Sequence, residues 1–160
     1  MLRRLLAAIL LAGSVSLAGC SSHSGTGPTA AIPDQSGRIP FEIPAAVATG
    51  AAATFPSDPL EIVGDRADAD TLVIDVRYGG GCVDHAFILI GSAAFAESNP
   101  VQTFMTLAHD ARGDPCKALV FKTLRADITP LRDAYRRSYQ VEHGTISIRL
   151  TGAPPILYRF

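Results

Sequence analysis

The sequence predicts a mainly β fold, an antiparallel β-sandwich with one short helix near residues 130–140. Three observations predict it. Leu72, Ile74, Val76 and Tyr78 alternate with polar residues, and Ile146, Ile148 and Leu150 do the same. That is the period of a strand with one wet face. A single segment, beginning at Thr129-Pro130, carries helical spacing. The order is strands, one helix, then strands, without the strand–helix–strand alternation of a parallel α/β sheet.

Taken in order, Ile39, Phe41 and Ile43 alternate with Pro40 and Pro44 beside them. Proline lacks the donor that a central strand needs, so this is an edge strand or a crossing segment. Ala45 to Thr54 reads as one helical turn or a loop, and Leu60 to Val63 as a short strand. Gly64 to Asp70 reads as a polar turn, and Gly79-Gly80-Gly81 breaks the strand that follows it. His85 to Ile90 is apolar enough for a strand buried on both faces. Gln102 to Ala108 and Leu119 to Leu124 read as two more strands. Thr129 is placed to cap a helix and Pro130 suits its first turn. Leu131, Ala134, Tyr135, Ser138 and Tyr139 share one face of that helix, leaving Arg136 and Arg137 to solvent. Thr145 to Leu150 and Pro155 to Phe160 supply the last strands.

The chain begins differently. Arg3-Arg4 precedes an apolar run from Leu5 to Leu11, and small residues lead to Cys20. A charged start, a short apolar middle and small residues before a cut read as a secretory signal. Leu17-Ala18-Gly19-Cys20 resembles the lipobox of bacterial lipoproteins. The resemblance covers residues 1–20 and implies cleavage before Cys20, with lipid on its sulfur and an acyl group on the new amino terminus. Ser21 follows, and the lack of Asp there, by the same resemblance, implies the outer membrane of a Gram-negative envelope, at its periplasmic side or surface. Ser21 to Gly37 is polar and rich in Gly and Pro, and cannot bury enough surface to offset its ordering entropy. The expected organisation is therefore a signal peptide over 1–19, a lipidated Cys20 and flexible tether over 20–37, and a single β-rich domain over 38–160. The chain's formal charge is −1, about −3 without the leader's two arginines. With no basic stripe, nucleic acid is not an expected partner. The expected partners are the membrane, through the lipid, and an unidentified envelope protein or small ligand.

Two cysteines remain beyond Cys20, namely Cys82 and Cys116. Outside the cytoplasm such a pair favours a disulfide, and closing the loop between them stabilises by roughly 3 to 4 kcal/mol in the chain-entropy model. The alternative is a metal site. Cys82 and His85 stand with two residues between them, and His109 lies seven before Cys116. Two thiolates and two imidazoles could hold zinc or copper(I) in a tetrahedron. His23 and His143 fall in the tether and in a turn. The pattern Tyr78-Gly79-Gly80-Gly81-Cys82-Val83-Asp84-His85-Ala86-Phe87, followed by His109 and Asp114-Pro115-Cys116, is similar to domains of uncharacterised bacterial envelope lipoproteins over residues 60–160. That likeness brings no activity with it.

The catalytic signatures are missing. A strand follows the glycine triplet, so it is no phosphate cradle. No Gly-x-Ser-x-Gly elbow occurs, and Asp84-His85 and His109-Asp110 have no activated nucleophile to complete a triad. Asp65, Asp68, Asp70, Asp110 and Asp114 lie in expected turns, where solvation accounts for them. The expected protein is a non-enzymatic, lipid-anchored envelope module without a cofactor.

Overall fold

The computed structural model describes residues 37–43, 55–92 and 94–160. The leader, the Cys20 motif, tether residues 21–36 and the Ala45 to Thr54 stretch lie outside the described residues. The elements run β1 (Phe41–Glu42), β2 (Glu61–Asp68), β3 (Thr71–Gly80), β4 (Ala86–Gly91), β5 (Val101–Asp110), β6 (Ala118–Asp127), α1 (Thr129–Tyr139), β7 (Thr145–Leu150) and β8 (Ile156–Arg159). They form a mainly β fold of two sheets and one helix. One sheet has the order β1-β4-β5-β7-β8 and the other β2-β3-β6.

The three-stranded sheet is antiparallel throughout. In the five-stranded sheet β4–β5 and β7–β8 are antiparallel, whereas β1–β4 and β5–β7 are parallel. The parallel β5–β7 pair follows from the route of the chain. It leaves β5, crosses to the other sheet as β6, and returns through α1 to β7.

The alternation read from the sequence sets the core. Leu72, Ile74, Val76, Leu124 and Ala126 project from one sheet. They meet Leu89, Met105, Ile146, Ile148 and Tyr158 from the other. Helix α1 adds Leu131, fully buried, and Ala134. Arg136 turns out to bond the Glu142 carbonyl and to lie over the Phe160 ring, so it is not simply solvated.

Four local expectations are corrected. The Gly64 to Asp70 stretch is strand as far as Asp68, and only Ala69-Asp70 turns. Its polar residues sit on an edge strand with a wet face, and an irregularity between Ile62 and Gly64 resets the pairing with β3. The glycine triplet does not end β3 at once, because Gly79 and Gly80 still pair with Leu119 and Ala118. Strand β4 buries Phe87 and Leu89 but leaves Ile88 and Ile90 half-buried, since only one face of its sheet meets the core. Thr129 does not cap α1. It is the first helical residue, and its own amide donates to the Asp127 carboxylate.

Asp70, expected to be merely solvated, ties three elements together. Its backbone carbonyl accepts from Ile128, and its carboxylate accepts from Arg132 of α1 and from the Tyr158 hydroxyl of β8. Tyr158 is 1% exposed. Burial and then the Asp70 bond push its hydroxyl well above the usual tyrosine range. Asp70→Ala leaves that buried hydroxyl without its acceptor, at a cost of about 1–3 kcal/mol. Urea unfolding should show this loss, and Asp70→Asn should recover most of it. An Asp70→Ala protein as stable as the parent would contradict the assignment.

Candidate functional site

The residues singled out in the sequence meet at one end of the sandwich. Strand β3 ends at Gly80, and the chain turns through Gly81 to His85 before β4 begins at Ala86. The loop between β5 and β6 brings Asp114 and Cys116 to the same place. Cys82 and Cys116 form a disulfide there, with Cα atoms 5.8 Å apart.

Asp114 sits under the Cys82 turn. Its side chain is 1% exposed. Oδ2 accepts from the amides of Gly81 (2.9 Å), Cys82 (3.0 Å) and Val83 (3.0 Å), and lies 3.2 Å from His85 Nε2. Oδ1 accepts from the Cys116 amide at 2.8 Å, the two-residue reach of an Asx turn. The Cys116 bond foremost, with those from Val83, Cys82 and His85, holds the carboxyl well below the usual carboxylate range despite burial. The carboxylate therefore binds both cysteine residues through their backbones.

Two histidines continue from this carboxylate into the sandwich. His85 Nδ1 lies 2.7 Å from His109 Nε2, and His109 Nδ1 lies 3.2 Å from the Asp58 carbonyl oxygen. Both residues are 2% exposed. Pairing of Phe87 with His109 across β4 and β5 brings His85 within reach of His109. Phe87 stacks on His109 at 4.8 Å with planes 5° apart, and Tyr78 packs against both imidazoles. Residues 56–58 run beside β5, exchanging backbone bonds with His109, while the Asp58 carboxylate accepts from Ala111. Burial pushes His109 below the ordinary histidine range, against the opposing effect of the Asp58 carbonyl.

The glycines now have a reason. A Cβ on Gly80 would lie 2.7 Å from His85 Nε2 and 3.0 Å from Asp114 Oδ2, so the imidazole–carboxylate contact needs a bare backbone there. Gly81 has φ +112°, a conformation open to glycine and strained for other residues.

Of the four residues of the expected metal set, the sulfurs of Cys82 and Cys116 are bonded to each other, His85 lies between His109 and Asp114, and His109 faces His85 and the Asp58 carbonyl. Cys82, Cys116 and Asp114 do bring a possible ligand atom each within 4.8 Å. In this arrangement the sulfurs are spent on one another and Asp114 on its amides. The carboxylate beside both sulfurs also opposes thiolate formation.

Beside the Cys82 turn is a cavity of about 280 Å³ lined by Tyr78, Val83, Asp84, His85, Val120 and Lys122. Lys122 stands on β6 opposite the buried Val76, a position that the strand's alternation gives to the inner face. Its ammonium lies 5.4 Å from the centre of the Phe87 ring. Sequence reading missed Asp58 and Lys122, and the roles of Tyr78 and Asp114. Tyr78 had a local signal in its strand's alternation, and Asp114 in its place two residues before Cys116.

No protein-family model and no curated protein matches the sequence. Solved structures match by fold. A NigD-like immunity protein from Bacteroides caccae ATCC 43185 aligns at 20% identity with a TM-score of 0.54. The alignment covers 74% of this chain and 57% of that protein, so the chain spans little more than half of its length. A "Putative lipoprotein" of Bacteroides fragilis NCTC 9343 aligns at 12% identity with a TM-score of 0.50, over 77% of this chain and 68% of that one. At such identities the likeness is one of fold.

The depressed His109 gives a pH dependence of definite sign. Below about pH 6.5 the unfolded chain takes up a proton that folded His109 resists, so stability falls as pH falls. The thermal midpoint should drop between about pH 7 and 5, and less steeply in His109→Gln. Equal slopes for the two proteins would show that His109 does not contribute.

Proposed function

We propose that this chain is a non-enzymatic, lipid-anchored protein of the cell envelope whose β-domain is a binding or structural module held by one disulfide. The observation that carries the anchoring is the Arg3-Arg4 start, apolar run and Leu17-Ala18-Gly19-Cys20 quartet. The fold supports the envelope reading in two ways. It brings Cys82 and Cys116 within bonding distance, as suits a compartment where thiols oxidise. It is also shared with a "Putative lipoprotein" and a NigD-like immunity protein.

The binding role draws on the chemistry of the histidine cluster. Each imidazole nitrogen already has a partner, in Asp114, the other ring or the Asp58 carbonyl. None is left to activate an outside nucleophile, which a general base must do. The surface we assign to binding is the cavity mouth and the adjoining edge of β6. Leu119 and Phe121 on that strand are 62% and 65% exposed, large apolar side chains of the kind that mark interaction surfaces.

The test is lipid labelling in cells that export the protein. Cys20→Ala should abolish both incorporation of labelled fatty acid and sedimentation with membranes. A variant that still labels and sediments would refute the anchor. In the exported protein, alkylation without reductant should modify neither Cys82 nor Cys116. Reduction should lower stability by roughly 3–4 kcal/mol. Two freely alkylated thiols would remove the disulfide from the account.

A further inference from the structure

The line Asp114 Oδ2, His85, His109, Asp58 O has three gaps, each short enough for a hydrogen bond. Its two ends are fixed as acceptors. Oδ2 already receives three backbone amides, so it is a carboxylate oxygen that offers no proton. The Asp58 group is a backbone carbonyl, which can only accept. His85 must therefore donate through Nε2, and His109 through Nδ1. Two neutral imidazoles carry one N–H each, and both are now used. The 2.7 Å gap between His85 Nδ1 and His109 Nε2 would then hold two facing lone pairs. A third proton turns that repulsion into a hydrogen bond.

We propose that the buried His85–His109 pair holds three N–H protons in the folded protein at neutral pH, as an imidazolium at His85 paired with Asp114, and that losing the third proton as pH rises frees Asp114 of His85 and loosens the Cys82 turn. The count does not depend on the binding reading and stands or falls without it. His85 takes the charge because Asp114 is its neighbour, while His109 faces a neutral carbonyl. The direction of the His109 shift, towards the neutral form, agrees with that division. A fourth proton is refused because it would set N–H against N–H across the 2.7 Å gap.

The other groups facing the pair have fixed roles. Tyr78 of β3 packs on both rings, and burial with the nearby Asp84 and Asp114 charges pushes its hydroxyl up, keeping it neutral. The Asp58 carboxylate points to Ala111. From β6, Lys122 lies over Phe87, on the ring that stacks against His109.

The sign of the switch follows. Above about pH 6.5 the unfolded histidines are mostly neutral, whereas the folded pair keeps one extra proton. Raising the pH therefore removes stability, and the loss is complete once the folded pair has released it. The N–H left on neutral His85 bridges the short gap to His109, so Nε2 turns a lone pair on Asp114 Oδ2 and that contact opens. Its opening takes one of four donors from the oxygen that holds Gly81, Cys82 and Val83.

Nitrogen NMR of the imidazoles in oxidised, isotope-labelled protein tests this directly. At pH 7, three of the four ring nitrogens of His85 and His109 should be protonated, both on His85 and Nδ1 alone on His109. On raising the pH the pair should lose one proton, and the Gly81, Cys82 and Val83 amide signals should shift with the same midpoint. Two protonated nitrogens at pH 7, or four, would overturn the proposal. So would three protons whose loss leaves those amide signals in place.

Discussion

Oδ2 of Asp114 gathers three backbone amides and one imidazole while 1% of its side chain meets solvent. A buried carboxylate is stable only when donors replace the water it has lost. Here the donors come from one tight turn, and the turn contains Cys82. Oδ1 adds the Cys116 amide from the facing loop. The carboxylate thus positions both halves of the disulfide by their backbones, and the sulfur–sulfur bond closes a geometry that charge-assisted hydrogen bonds already favour. The same oxygen fixes which nitrogen of His85 donates, and so the direction of every bond along the line to Asp58.

The rest of the fold delivers these groups to one end. Antiparallel β4 and β5 put His85 beside His109, and β3 and β6 wall the other side with Tyr78, Val120 and Lys122. Two crossing segments tie the sheets together. Residues 37–40 bond to Arg125 of β6 and then to Leu89 of β4, passing from one sheet to the other. Residues 56–58 bond to His109 of β5 before the chain enters β2. The second crossing is part of the site, since it supplies the Asp58 carbonyl that ends the histidine line.

Much of the fold was legible in the sequence because its cause is local. Leu72 to Tyr78 and Ile146 to Leu150 alternate, and alternation is what a half-buried strand requires. Edge strand β2 was harder, because Gly64, Asp65 and Arg66 have turn composition and only their pairing with β3 makes them strand. The glycines misled for a similar reason. They suggested a break, whereas Gly80 lies in the strand, and its missing side chain makes room for a contact made across the fold. The cysteines and histidines were found as candidates, but spacing could not say which would meet. Asp58 reaches His109 from 51 residues away, and Lys122 comes from the opposite sheet. Asp114 was visible only as a turn residue, since nothing local shows that three amides and an imidazole converge on it.

Amide hydrogen exchange at Gly81, Cys82 and Val83 tests the central role of Asp114 most directly. These residues lie in a surface turn outside the sheets' ladders, where amides without a partner exchange rapidly. If the carboxylate organises this end of the molecule, all three are protected in the folded, oxidised protein. Asp114→Ala then releases them while the core of β3 and β6 stays slow. Rapid exchange of all three in the parent protein, or protection unchanged in Asp114→Ala, would contradict the account.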